Sequence, residues 1–395
     1  MTSVALREVA SVVRGVSFDK SDVADSPEDG LVPILRAGNI DGELNLIDDL
    51  VWVPGGRVSE EQRMRAADIA ICMSSGSLSV VGKTAALRHD WSGSVGAFCA
   101  IIRPDAGRIE PDFLAFFLKS ETFRVWTRQS SGANIKNIRK TELEAFEFNL
   151  PSLPEQQRIV DLLSRAEGIV RLRREAQRKV AELVPALFLD MFGDPASNPK
   201  RWPVVAFADM ADTQLGKMLD KKKQTGLHAF PYLGNSNVRW DDFDLDGLLE
   251  MDFSEQERVK FQLMSGDLLA CEGGEVGRAA IWRGQMDGCF FQKAIHRIRP
   301  KPSSAVPEFI LHWLWNMSKQ GLLANAGAKA TIAHLPAEKL RSLIVALPPI
   351  ELQRLFANKV EAVRAIAARQ ATALATAQAT FDALLHQAFA ARQPG

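Results

Sequence analysis

The chain carries one passage twice, and that duplication limits its architecture more than any other feature. Leu150-Pro151-Ser152-Leu153-Pro154-Glu155-Gln156-Gln157-Arg158 returns as Leu347-Pro348-Pro349-Ile350-Glu351-Leu352-Gln353-Arg354, aligned with one residue missing. The copies stand about 196 residues apart in a chain of 395. Solenoid repeats run about 20–50 residues, so this period marks two copies of one module rather than a stacked array. Each module is a globular head followed by a long helix. Two similar heads on a spacer suit a molecule that touches two places at a set distance.

Smaller matches keep the same order. Leu35-Arg36-Ala37-Gly38-Asn39-Ile40 parallels Leu233-Gly234-Asn235-Ser236-Asn237-Val238, and Ala67-Asp68-Ile69-Ala70-Ile71-Cys72 parallels Gly266-Asp267-Leu268-Leu269-Ala270-Cys271. Ile101-Ile102-Arg103-Pro104 parallels Arg297-Ile298-Arg299-Pro300, and Pro111-Asp112-Phe113-Leu114 parallels Pro307-Glu308-Phe309-Ile310. Within the first head, Leu31–Leu35, Asp68–Cys72 and Ala97–Ile102 read as strands bounded by turn residues. Pro111–Leu118 reads as a helix entered through Pro and Asp. The expected fold is α+β: a head at 1–150, a helix at 151–195, a second head at 196–346 and a second helix at 347–395.

The helices follow from periodicity. Steps of three and four from Ile159 give Ile159, Leu162, Ala166, Ile169, Arg173, Ala176, Val180, Leu183 and Leu187, a heptad seam broken only at Arg173. The second series is Phe356, Val360, Val363, Ala367, Gln370, Leu374, Ala377, Phe381, Leu384 and Ala388. Pro185 is expected to kink or end the first helix near Val184. The simplest closed arrangement is an antiparallel pair, the first helix running from head one to head two and the second returning. Thirty residues of helix span roughly 45 Å, on the order of 13 base pairs of DNA. Ala371–Thr380 carries no charge, which points to a partner covering that stretch.

Composition narrows the class. No run of 18 apolar residues indicates a membrane span, and Met1–Val13 lacks the basic flank and apolar core of a signal peptide, so the cytoplasm is the expected location. Cys72, Cys99, Cys271 and Cys289 form no CxxC pair and read as buried thiols, with no metal site. With 48 basic and 48 acidic residues the net charge is zero, so any nucleic-acid contact rests on local patches and on partners that also grip.

Catalytic motifs are missing. Ser77-Leu78-Ser79-Val80-Val81-Gly82-Lys83-Thr84 ends like a phosphate-binding P-loop, but Ser77 stands where that loop needs Gly. The equivalent Glu272–Arg278 segment ends in Arg278 and carries carboxylates. Neither Asn198-Pro199-Lys200 nor Leu347-Pro348-Pro349-Ile350 fits the Asn/Asp-Pro-Pro-aromatic loop of a DNA amino-methyltransferase. The six histidines are scattered, with no HExxH, and no GxSxG occurs. Basic and amide residues remain as DNA candidates. Lys83 and Arg278 end the Gly-rich turns, and Asn134, Lys136, Asn137 and Arg139 lie in Ser130–Lys140. Lys329 and Thr331 lie in its counterpart, Asn325–Ile332, and Lys221, Lys222 and Arg239 complete the set. Cations meet phosphates, while Asn reads an adenine edge.

At Leu150–Val160, the long helix, Ala186–Pro195 and Asn198–Pro203, the chain resembles the specificity subunits of type I restriction–modification systems. The resemblance implies two target-recognition domains, each reading one half of a split, asymmetric sequence in double-stranded DNA. It implies helices that set the gap and dock two modification (M) subunits, which bind S-adenosylmethionine and methylate adenine. A restriction (R) subunit using ATP and Mg would join in some systems. The chain itself would bind no cofactor and catalyse nothing. Glu351-Leu352-Gln353 departs from Glu-Gln-Gln in the second copy. Two other readings stand beside this one. A P-loop nucleotide hydrolase would bind ATP alone, and a coiled-coil adaptor would show no salt-sensitive DNA contact.

Overall fold

The computed structural model describes residues 2–77, 79–130, 137–220, 224–323 and 334–390. It divides into two compact units, Met1–Arg174 with Thr372–Gly395, and Glu175–Ala371.

In unit 1 the apolar runs at Ile69–Cys72 and Cys99–Pro104 lie in one antiparallel sheet, while Leu31–Leu35 pairs with Val51–Pro54 and Ser94–Val95 in another. The strands of the first sheet are β1 (Ala10–Arg14), β2 (Ile69–Cys72), β3 (Thr84–Ala86) and β4 (Cys99–Pro104), in the order β1-β4-β2-β3. Alternate residues point to opposite faces. Ile69, Ile71, Ala100 and Ile102 enter a core with helix α1 (Pro111–Lys119), while Ala70, Cys99 and Ile101 enter a second core on the other face. Burial on both faces explains why these strands read as unbroken apolar runs.

The long helix Leu153–Phe192 leaves this unit through the repeated motif. Gln156 is 1% exposed. Its Nε2 donates to the Pro151 carbonyl at 2.9 Å, and its Oε1 accepts the N-cap amide of α1, Glu110 N–H, at 2.8 Å. One side chain therefore joins the start of the long helix to the start of the head helix. The far end of the other long helix, Ile350–Ala390, closes the same core. Phe389 meets Phe113 at 5.5 Å and Phe381 meets Phe116 at 6.3 Å between ring centroids. Burying Phe381, Leu385 and Phe389 stabilises the unit by about 1.5–3 kcal/mol each.

Unit 2 repeats the plan. Strands β5 (Ala211–Leu215), β6 (Leu268–Cys271), β7 (Ala279–Ile281) and β8 (Ile295–Pro300) form a sheet in the order β5-β8-β6-β7. Its head helix, α2 (Pro307–Lys319), packs on Phe188 and Phe192 of the first long helix, with Phe309 at 5.9 and 5.2 Å. Gln353, 0% exposed, donates to the Pro348 carbonyl at 2.8 Å and accepts the α2 N-cap amide, Val306 N–H, at 3.1 Å.

These bonds correct the sequence alignment. A constant offset of 197 residues carries Gln156 onto Gln353, Ile159 onto Phe356, Leu163 onto Val360 and Phe192 onto Phe389. The second copy is therefore not one residue short, and Leu352 answers to Glu155. The polar position that matters, the glutamine, is present in both.

The long helices run 40 and 41 residues, within the expected 151–195 and 347–395. Three further expectations change. Pro185 does not end the first: the helix continues to Phe192, since Phe188 and Phe192, 1% and 3% exposed, anchor its last turns. The buried face of its first half is Ile159, Leu163, Ala166 and Val170, stepping four, three, four. Leu162 and Ile169, one position off, are 49% and 53% exposed. The sequence division sets the helices apart at 151–195 and 347–395. In the structure each unit holds part of both helices, because each helix half is buried by a head core.

Candidate nucleic-acid interface

Two ion pairs with buried carboxylates and partly exposed arginines, one per unit, fix the strands that lead to the candidate surface. Asp68, 1% exposed, receives Arg103 Nε at 2.8 Å and Nη2 at 2.7 Å. Asp267, 2% exposed, receives Arg299 Nε and Nη2, both at 2.6 Å. The bidentate bonds hold both guanidinium pKa values above their ordinary value, with burial opposing. Each pair ties β4 or β8 to the turn before β2 or β6, so the other ends of these strands are set in the same way in both units.

At that end of unit 1, β4 is entered through the turn Gly96-Ala97-Phe98. Val16 N–H donates to Val95 O at 2.7 Å and Cys99 N–H to Gly96 O at 2.8 Å, while Met73 N–H donates to Phe98 O at 2.8 Å. Gly15 crosses beneath it. A Cβ on Gly15 would lie 2.1 Å from Gly96 O, so only glycine permits this approach. Phe98 is 70% exposed. The reading of Ala97 and Phe98 as part of the strand is thus corrected: the strand begins at Cys99.

Two clefts flank the turn. One, of about 790 Å³, is lined by Phe18, Arg36, Asn39, Ser74 and Phe98 among others. The other, of about 450 Å³, is lined by Arg14, Asn137, Arg139 and Lys140. Ser74 pairs with Asn137 as an isolated bridge, and Ile138 N–H donates to Met73 O at 2.8 Å. Arg36 is held by Asp49 at 3.3 Å, and the Arg139 side chain, 77% exposed, lies 3.9 Å from Glu142.

Unit 2 builds the same turn with other side chains. Gly216 crosses beneath Gln292, where a Cβ would meet Gln292 O at 2.3 Å. Ile295 N–H donates to Gln292 O at 3.0 Å, and Glu272 N–H to Ala294 O at 2.9 Å. Gly273 pairs with His334 as Ser74 does with Asn137. Lys293-Ala294 stands where unit 1 has Ala97-Phe98, and Lys293 is exposed.

Of the sequence-predicted DNA residues, the structure brings Asn137 and Arg139 to this surface. Lys83 is elsewhere. Its Nζ meets Asp41 at 2.7 Å, and it lines a separate cleft of about 420 Å³ with Lys119, Glu167 and Arg171. Arg278 serves the scaffold, donating to Asn235 O at 2.8 Å and lying 3.5 Å from Glu275. Arg239 is exposed, 3.4 Å from Asp244. Asn134, Lys136, Lys221, Lys222, Lys329 and Thr331 lie outside the described residues. The sequence reading missed Arg14, Phe98 and Lys293. Comparison of the repeats carried the signal, because a lysine opposite Ala97 in an otherwise apolar run marks solvent.

The P-loop resemblance fails on geometry. Thr84 is 4% exposed and opens strand β3, whereas a P-loop leads into a helix N-terminus. All four cysteines are buried and unpaired by disulfides; burial pushes Cys271 up and Cys289 to about 12. Among the described residues no helix is long and apolar enough to cross a membrane.

On the helices, Ile159, Phe356, Val360 and Phe381 are buried, and Val180, Val363, Leu374 and Leu384 are partly buried. Leu162, Ile169 and Leu183 are exposed. Glu167 receives Lys119 at 2.8 Å and Arg88 at 3.4 Å in unit 1. At the equivalent position in unit 2, Arg364 meets Asp241 at 2.6 Å and Glu308 at 3.6 Å. The helix-to-head clamp is the same, with its charges exchanged.

The family model for the type I restriction modification DNA specificity domain matches residues 1–182 and 199–373. The chain is 28% identical over 379 residues to the type I restriction enzyme EcoKI specificity subunit of Escherichia coli (strain K12), across 91% of this chain and 81% of that protein. It is 40% identical over 156 residues to the StySPI specificity subunit of Salmonella potsdam, across 39% of this chain and 34% of that protein. A chain solved in work on complex assembly and conformational transition of the type I R-M system shares the fold, with a TM-score of 0.62 at 18% identity over 98% of this chain and 97% of that one. These likenesses leave the nucleotide-hydrolase and adaptor readings without support. With both repeats matched, the chain belongs to the type I restriction–modification DNA specificity family and is a specificity subunit.

Proposed function

We propose that units 1 and 2 each read one half of a split, asymmetric site in double-stranded DNA, and that the two long helices set the unread gap. One observation carries this reading. The scaffold is duplicated, Gln156 and Gln353 making the same two bonds to the motif proline and the head-helix cap and Asp68–Arg103 and Asp267–Arg299 the same bidentate pair, while the exposed turns it supports differ. Equal scaffolds with unequal surfaces suit two similar tasks with different sequence choices.

The helices also dock two methyltransferase subunits, one per repeat. Ile169 and Ile366 occupy equivalent positions and are 53% and 42% exposed, which supports a repeated apolar contact. In this reading the partners bind S-adenosylmethionine and methylate adenine at N6. Where a restriction subunit joins, it brings ATP and Mg. The chain binds no cofactor of its own and works in the cytoplasm.

Mapping methylated adenines across the source genome, with and without this chain, tests the reading. Loss of one split, asymmetric motif on deletion is the expected result. An unchanged map in cells shown to express the chain refutes it.

A further inference from the structure

The matched turns at the entry to β4 and β8 carry different chemistry on one scaffold. Phe98 is 70% exposed at the tip of a tight turn, so its ring is available to a ligand. Its surroundings are polar, with arginines of which Arg36 is engaged by Asp49 and Arg139 lies 3.9 Å from Glu142. Arg14 and Arg139 line the cleft on one side, and Arg36 and Ser74 line the cleft on the other. The turn is also rigid, because Gly15 lies against Gly96 with no room for a Cβ. A fixed aromatic between cations fits a base flanked by phosphates. Phosphate contacts position a protein on DNA, and an apolar contact to a base edge, as of Phe with a thymine methyl, senses the base.

In unit 2 the same turn offers Lys293. Among the described residues Lys293 pairs with no carboxylate, whereas neighbouring Lys217 is spent on Glu257 and the Asp252 carbonyl. An unpaired ammonium on a rigid turn fits a phosphate.

We propose that these turns are reading elements: Phe98 contacts a base of the half-site read by unit 1, and Lys293 holds a backbone phosphate of the half-site read by unit 2. The assignment rests on the DNA-reading role proposed above. Both residues are exposed, so substitution leaves the core intact.

The test uses the complete complex with its methyltransferase subunits. Binding of the wild type, Phe98→Ala and Lys293→Ala is measured on DNA libraries with one half-site randomised at a time, over a range of salt. Phe98→Ala weakens binding to the preferred site about fivefold to a hundredfold. It relaxes the preference at one base of the unit 1 half-site and leaves the salt dependence unchanged. Lys293→Ala weakens binding evenly across sequences and lowers the slope of log K against log salt by about one. Phe98→Leu, which keeps an apolar contact, retains part of the preference. If both alanine variants match a wild type that binds selectively, the assignment of the turns is overturned while the recognition role stands. If the wild-type complex itself shows no sequence choice, the recognition role falls, and the assignment with it.

Discussion

The glutamine shared by the two repeats gives the sharpest test of how the helices are joined to the heads. Gln353 is 0% exposed and makes three side-chain bonds, to Pro348 O at 2.8 Å, to Ser304 O at 3.1 Å and from Val306 N–H at 3.1 Å. Gln353→Met keeps the length and most of the volume, so little cavity forms. It leaves the Val306 amide without its partner and removes the donor from two carbonyls. A buried polar group stranded in this way costs about 1–3 kcal/mol. Carbonyls tolerate the loss better than an N–H, so the sum is about 3 kcal/mol. For a unit of this size that is about 6–12 °C in Tm. Gln156→Met loses only two bonds, to Pro151 O and from Glu110 N–H, and costs about 1 kcal/mol less. The assay is a thermal melt of each variant, with hydrogen exchange at the Val306 and Glu110 amides. Exchange at those amides speeds up with the loss of their acceptor. A Tm within 2 °C of wild type, or a larger loss for Gln156→Met than for Gln353→Met, refutes the reasoning.

Three other outcomes are expected. Asp68→Ala leaves the Arg103 guanidinium, its side chain 19% exposed, with only the Glu61 and Arg63 carbonyls, and costs about 1–3 kcal/mol by urea titration; Asp267→Ala costs less in unit 2, where the Arg299 side chain is 33% exposed. Glu167→Arg faces Lys119 and Arg88 with a like charge and lowers the urea midpoint of unit 1, and adding Lys119→Glu restores much of the loss. Burial against the Phe188 and Phe356 rings lowers the His312 pKa from 6.5 to about 4, and burial also lowers that of His296. Because the folded His312 value is depressed, its contribution is full above pH 6.5 and is lost as pH falls towards 4, and His296 acts in the same direction. The loss is about 3 kcal/mol for His312, and His312→Leu flattens unit 2 stability across that window, as read from urea midpoints at pH 7 and 4.5. Asp252, held near 2 by Thr225 and Gly226 amides, acts only at lower pH.

Much of the fold was legible because it is written twice. The strand runs at Ile69–Cys72 and Leu268–Cys271, the Pro-led head helices and the two long helices all stand where their patterns indicate. Register was less legible. In the first long helix Leu162 and Leu163 both fit an apolar stripe, and only packing against the head chose Leu163. Pro185 marks a break by local rules, but the aromatic anchors beyond it carry the helix to Phe192. The candidate site was harder still. Lys83 and Arg278 end turns that look alike in sequence, but Asp41 engages one and the Asn235 carbonyl the other.

By itself the sequence determined the duplication, the element types, the family and the residues available for contact, because these depend on local pattern and spacing. Tertiary structure alone decided which of those residues are spent on the scaffold and which remain free. That choice depends on partners distant in the chain: Gln156 finding Glu110, Arg103 finding Asp68, and Gly15 lying under Gly96 so that Phe98 stands in solvent.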